Sequence, residues 1–397
     1  MERPPYLPSL TSLRFFAAAM IVVFHSAGNF GISTQILGYV SIVQGVTFFF
    51  ILSGFVLTYV YETFENKAQF FSFLVARFAR IWPLHMVTLL LSVWLIYHSI
   101  YDPSIFLVNM GMVHGWIPLK KYFFSYNSLS WAVSTEFALY LCFPFLVRNW
   151  EKTWHIKTMF VFFSLIMTIA VCNHFSLPHN PPVGIGYAGI LYISPIGRLN
   201  EFCFGMVTAL VYKKIKHRYQ PGEKMGSVIE IAVISLAILM ICQSHELALF
   251  LPPWIGDVGK YWVELGGVSS IFFAAVILVT ALDKGLISNL LSKKLFIFMG
   301  EISFAIYLLH QILIQYYSHH IAGSVELSNV LVYCMFLGIL LVCSYIAWAF
   351  VEKPSRKCIL AGFECSKKRL MNMFVEGSNP MMARVEKIAG IFRGKRM

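Results

Sequence analysis

Arg14 and His25 interrupt the apolar stretch SLRFFAAAMIVVFHSAGNF, with ten residues between them. In an α-helix a step of eleven is three turns plus about 20°, so both side chains share one face about 16 Å apart. Arginine at one end of that face suits a phosphate, because its planar fork donates paired hydrogen bonds. Histidine further in suits proton transfer, because a neutral imidazole can accept a proton near physiological pH. The pair therefore fits an elongated ligand with an anionic head and a reactive end inside the protein. A second stretch, ARFARIWPLH, carries Arg77 and Arg80 three residues apart. It reads either as a further phosphate clamp beside a helix start or as a lipid-facing pair at the inner membrane edge.

Four more ionisable residues, Glu136, Arg198, Glu201 and His310, fall deep within apolar runs, while Glu230, Glu264 and Glu301 lie nearer helix ends and read as structural or interfacial. Such groups are expensive inside a membrane and usually face a bundle interior or a watery cavity. At about 1.5 Å per residue, His25 lies roughly 20 Å into its span and Glu136 roughly 10 Å below the outer surface. These depths agree, and Arg198, Glu201 and His310 come out at a similar outer-half level. Arg198 and Glu201 are three apart, so mutual neutralisation on one helix face competes with substrate contact. His310 reads equally as a hydrogen-bonded packing histidine.

The elements that must position these groups are membrane helices. The chain has 397 residues, 58% hydrophobic and 13% charged, with mean hydropathy +0.70, whereas soluble domains average about a quarter charged residues. Runs of about 20 apolar residues span a bilayer, and ten are predicted: 12–30, 38–61, 83–100, 129–147, 157–175, 192–212, 227–244, 264–282, 296–317 and 328–351. Residues 105–118 read as an interfacial or re-entrant helix. The expected fold class is all-α, a polytopic bundle of about ten transmembrane helices. Lys and Arg concentrate in cytoplasmic loops. With both termini cytoplasmic, all but five of the 31 fall on the inner side, the exceptions being Lys120, Lys121, Lys260 and the intramembrane Arg14 and Arg198. Attraction to the inner-leaflet surface accounts for the net charge of +12 without nucleic acid. Two regions are expected: a transmembrane domain over 1–352 and a basic cytoplasmic tail over 353–397. In the tail, Met381, Met382, Val385, Ile388, Ala389 and Phe392 recur at helical spacing, as in an amphipathic surface helix, with disorder as the alternative. The eight cysteines form no CxxC pair, so neither a zinc site nor a disulfide framework is expected. GIGYAG at 184–189 matches a dinucleotide fingerprint but lies in a proline-flanked loop with no strand before it.

The motifs occur in an order that resembles integral-membrane acyltransferase family 3, which includes O-antigen and exopolysaccharide acetyltransferases. Arg14 to His25 resembles its arginine, ten residues, histidine motif. It is followed by VTFFFILSGFVL (46–57), RFARIWPLH (77–85), LSWAVSTEFALYLCFPFL (129–146), GRLNEFCFGM (197–206), GEISFAIYLLH (300–310) and FVEKPSRK (350–357). The resemblance implies transfer of an acetyl or other short acyl group from cytoplasmic acyl-CoA to a carbohydrate hydroxyl, free or lipid-linked, at the bacterial inner membrane. Coenzyme A is then a donor substrate, and no bound cofactor or metal is expected. On this reading Arg14, Arg77 and Arg80 hold the donor phosphates. His25 is the general base, and Glu136 is its partner or an acceptor-side acid/base group. An acyl-enzyme through His25 or Ser134 is a variant. Ser130, Trp131, Ser134 and Tyr140 beside Glu136 are acceptor contacts, joined by Arg198, Glu201 and His310. Ser53 and Gly54 permit close helix contact. Some relatives add a span and a fused extracytoplasmic esterase-like domain, which this sequence is expected to lack, so transfer is direct or completed by another protein. The rival reading is a transporter of a glycan precursor, which predicts an internal repeat; none is evident.

Overall fold

The computed structural model describes residues 4–32, 42–322 and 327–369, and among these no strand forms. The helices are α1 (Pro8–Ser26), α2 (Gly45–Val60), α3 (Lys67–Ser92), α4 (Pro103–Met110), α5 (Lys120–Phe123), α6 (Trp131–Val147) and α7 (Trp150–His174). They continue with α8 (Pro195–Ile215), α9 (Glu223–Leu249), α10 (Gly256–Glu264), α11 (Ser269–Leu282), α12 (Leu286–Leu291), α13 (Lys294–His320) and α14 (Asn329–Ala347). Eight helical stretches are long and apolar enough to cross a membrane, and α2 is a shorter apolar helix. With α8, whose apolar run carries Arg198 and Glu201, each predicted span contains a helix.

Two close pairings organise the bundle. A Cβ on Gly300 of α13 would strike the carbonyl oxygen of Thr11 on α1. Further along, His310 faces His25, so α1 and α13 run parallel. In the second pairing a Cβ on Gly54 would strike Phe202, and one on Gly205 would strike Ile51. Such small residues let membrane helices approach backbone to backbone. Thr47 meets Arg198 at one end of this α2/α8 contact and Tyr59 packs on Tyr212 at the other, so these helices are also parallel. Parallel running is what an alternating span order predicts for spans one and nine and for spans two and six.

Three boundaries differ from the sequence expectation. Span three begins not at Pro83 but at Lys67, because Asn66 caps α3 by accepting from the Gln69 amide and Pro83 is carried inside the helix. Arg77 and Arg80 therefore sit on a membrane helix rather than in a loop before it. The segment read as interfacial or re-entrant folds as α4 and a short turn at His114–Trp116, with His114 and Gly115 buried against α6. Finally, the last helix does not stop near residue 352. A π turn at Trp348–Glu352 follows α14, and helix continues to Arg369. Pro354 lacks an amide and its ring crowds the carbonyl four residues back, which places the wide turn where the α-pattern cannot be kept. The amphipathic pattern at 381–392 lies outside the described residues.

Candidate active site

A cavity of about 670 Å³ penetrates the bundle between α1, α2, α3, α6, α13 and the helix that follows the π turn. Its volume is in the range of small-molecule sites. One end is strongly cationic: Arg14 comes from α1, Arg77 and Arg80 from one face of α3, and Lys353, Arg356 and Lys357 from the final helix. Glu301, Glu352 and Glu136 are the carboxylates on its wall, so six cations face three acids. The π turn shapes this end, because a change of helical pitch at 348–352 sets both Glu352 and the basic residues beyond it toward α3. Such bulges are frequent at functional sites. Glu352 is buried and ion-paired with Arg80.

The arginines are held differently. Arg80 is engaged by Glu352. Arg77 rests against the rings of Phe73 and Tyr140, each 5.9 Å from its guanidinium carbon, and its buried Nε has no partner among the described residues. Arg14 makes no hydrogen bond or ion pair among them, although it feels the charges of Arg80, Arg77 and Glu136. Two guanidinium groups with unused donors at a cationic mouth can take an anionic ligand without breaking an internal pair.

At the inner end the wall is largely apolar, with Phe49, Phe50, Ala132 and Val133 around Glu136. The Glu136 carboxylate accepts from Ser53 Oγ at 3.4 Å and from the Tyr140 hydroxyl. The lining ends at Tyr307, whose hydroxyl reaches across to donate to the Leu129 carbonyl at 2.8 Å. One turn further along α13 stands His310, with its ring 5.9 Å from that of Tyr307. His310 is buried and meets half-buried His25 at 3.3 Å, Nε2 to Nδ1.

The polar layer expected from depth thus divides into three groups. Among the described residues His25 is paired with His310 and makes no hydrogen bond to Glu136. Arg198 and Glu201 form a buried cluster outside the cavity lining, in which Arg198 Nη2 and Glu201 Oε2 are left without a partner among the described residues. Their ion pair is 2.5 Å, Thr47 bonds to both, and Arg198 Nε donates to the Tyr192 carbonyl at 2.7 Å. The guanidinium also lies 4.2 Å from the centre of the Tyr192 ring and 5.9 Å from that of Trp131. This is the mutual-neutralisation arrangement that the i, i+3 spacing allowed. Removing one member of a buried pair strands the other, at about 3–5 kcal/mol. We expect Arg198→Ala to lower the melting temperature of the detergent-solubilised protein sharply, and an unchanged melting curve would show that the cluster is not structural.

Ser130 and Ser134, expected near the acceptor, are engaged by the buried segment before α6. His114 Nε2 meets Ser130 Oγ at 3.0 Å, Gly115 N donates to Ser134 Oγ at 3.0 Å, and Ser134 Oγ donates to the Met112 carbonyl at 2.8 Å. Tyr140 does line the cavity, and Ser53, expected only in packing, lines it too. The sequence reading missed Tyr307 and the contribution of Lys353 and Arg356. The GEISFAIYLLH block carried the first signal, placing a tyrosine one turn before a histidine. FVEKPSRK carried the second.

Membrane-length helices around an internal cation-lined cavity, with a histidine pair beyond Tyr307, define a polytopic all-α membrane protein. The chain belongs to acyltransferase family 3, whose Acyltransferase domain matches residues 7–349. It is 28% identical over 342 residues to acyltransferase MdmB of Streptomyces mycarofaciens, covering 80% of this chain and 81% of that protein. It is 25% identical over 390 residues to O-acetyltransferase OatA of Staphylococcus aureus, covering 90% of this chain and 58% of OatA. The chain thus spans little more than half the length of the second relative. No solved structure matches it.

Proposed function

We propose that this protein is a membrane O-acyltransferase of the bacterial inner membrane. It moves an acetyl or other short acyl group from cytoplasmic acyl-CoA to a hydroxyl of a cell-surface carbohydrate. The observation that carries this reading is the internal cavity, cationic at the side assigned to the cytoplasm and lined by Tyr307 on the side of the histidine pair. Arg14, Arg77 and the basic residues of the final helix bind the donor phosphates through charge-assisted hydrogen bonds. The pantetheine arm follows the cavity toward Tyr307, with the thioester leading.

The acceptor hydroxyl gives its proton to His25 as its oxygen attacks the thioester carbonyl. The new carbon–oxygen bond forms and the carbon–sulfur bond breaks. The leaving thiolate then recovers the proton from the imidazolium, so atoms and charge balance. Glu136, in contact with Ser53 and Tyr140, belongs to the donor side of the floor, where its charge orients the inner cavity and offsets that of Arg14.

The test follows radiolabelled acetyl from acetyl-CoA into membrane glycans in vesicles carrying the wild type. Label in a carbohydrate fraction above that of empty vesicles is the expected result. No transfer with a complete acceptor pool would overturn acetyl-CoA as donor and favour the transporter reading.

A further inference from the structure

We infer that His310 is the positioning residue that fixes the tautomer of His25, leaving His25 Nε2 as the basic nitrogen. The inference rests on the reading of His25 as general base and deepens it. His310 Nδ1 lies 3.1 Å from the carbonyl oxygen of Ile306, one turn back in the same helix. A carbonyl only accepts, so Nδ1 carries the proton of the neutral ring. A neutral imidazole has one N–H and one lone pair, and His310 Nε2 is therefore an acceptor. The atom facing it at 3.3 Å is His25 Nδ1, which must donate. The one proton of neutral His25 is thus held on Nδ1, the Ile21 carbonyl one turn back being a further acceptor for the His25 ring, and no hydrogen bond to its Nε2 forms among the described residues.

The chain of donors is anchored in the fold. His310 is fully buried within α13, and the rings of the pair lie 5.5 Å apart and only 29° from parallel. The same helix is tied to the segment before α6 by Tyr307 to Leu129 and by Asn127 to the Leu308 carbonyl. His310 thereby does with a neutral ring what a carboxylate does for the histidine of many acid–base pairs. A neutral partner adds no second charge to the membrane interior, where isolated charges are expensive. When His25 takes up a proton, the Nδ1–H bond to His310 strengthens and holds the imidazolium until it is discharged.

Asparagine and glutamine separate the two nitrogens of His310. The glutamine amide reaches the place of Nε2 and offers an oxygen to His25, whereas asparagine reaches only the place of Nδ1. At matched protein levels we expect His310→Gln to keep kcat within about ten-fold of wild type. His310→Asn and His310→Ala should each lose about a hundred-fold in kcat at unchanged donor KM, the lower end of what a positioned base contributes. Asparagine performing as well as glutamine, or a loss confined to KM, would overturn the role of His310. Full activity of His25→Ala would instead overturn the base assignment. Independently of turnover, ¹⁵N spectra of ring-labelled wild type in lipid, with the His25 signals identified by their absence in His25→Gln, should show Nδ1 protonated and Nε2 bare. The opposite tautomer would refute the inference.

Discussion

Replacing His25 with alanine is expected to lower acyl transfer by about 10²–10⁴-fold, the usual contribution of a positioned general base, while the donor KM stays within about two-fold. The split follows from geometry. His25 stands beyond Tyr307, away from the arginines, and its removal takes nothing from the cationic end. A variant that loses only a transition-state interaction lowers kcat and kcat/KM together. Initial rates measured over a range of labelled donor concentrations check this, and a rise in KM at constant kcat would move His25 from chemistry to binding.

The second large effect is expected at the other end of the cavity. Arg14→Ala should raise the donor KM by about ten- to a hundred-fold, as loss of a charge-assisted hydrogen bond of about 1.5–3 kcal/mol requires, with kcat changed far less. Arg14 is the informative choice because it has no hydrogen-bonded partner among the described residues. Arg80→Ala would strand the buried Glu352 and mix binding with stability. Added salt provides a second readout, since screening weakens the attraction between phosphate and guanidinium. Raising ionic strength should increase the wild-type KM more than that of Arg14→Ala, and equal salt dependence would place the phosphates elsewhere.

The helical architecture and the gathering of Arg14, Arg77 and Arg80 at one end of a cavity were legible in the sequence because both are written in local pattern. Apolar runs of bilayer length, basic inner loops and the three-turn spacing of Arg14 and His25 are properties of single segments. Partnerships between segments were not legible. Equal depth in the membrane brought His25, Glu136 and His310 to one layer on paper, but depth says nothing about which way a helix is rotated. The structure turns Glu136 toward Tyr140 and Ser53, and His25 toward His310. Ser130 and Ser134, at and after the start of α6, escaped for a similar reason: a hydroxyl in a span can serve a ligand or a neighbouring loop, and only the fold of residues 110–116 reveals the loop. The predicted end of the last span at 351 is instead a change of helical pitch within a longer helix.

The reach of Tyr307 to the Leu129 carbonyl bears on energy conservation in the cell. An aqueous passage of this width running from face to face would leak protons and metabolites and discharge the gradients that the membrane maintains. On α13 the lining stops at Tyr307 and does not reach His310, so on the proposed reading the Tyr307 to Leu129 bridge is where such a leak is stopped. On the proposed function the cavity mouth admits a bulky nucleotide, while only the few atoms of an acyl group pass beyond Tyr307.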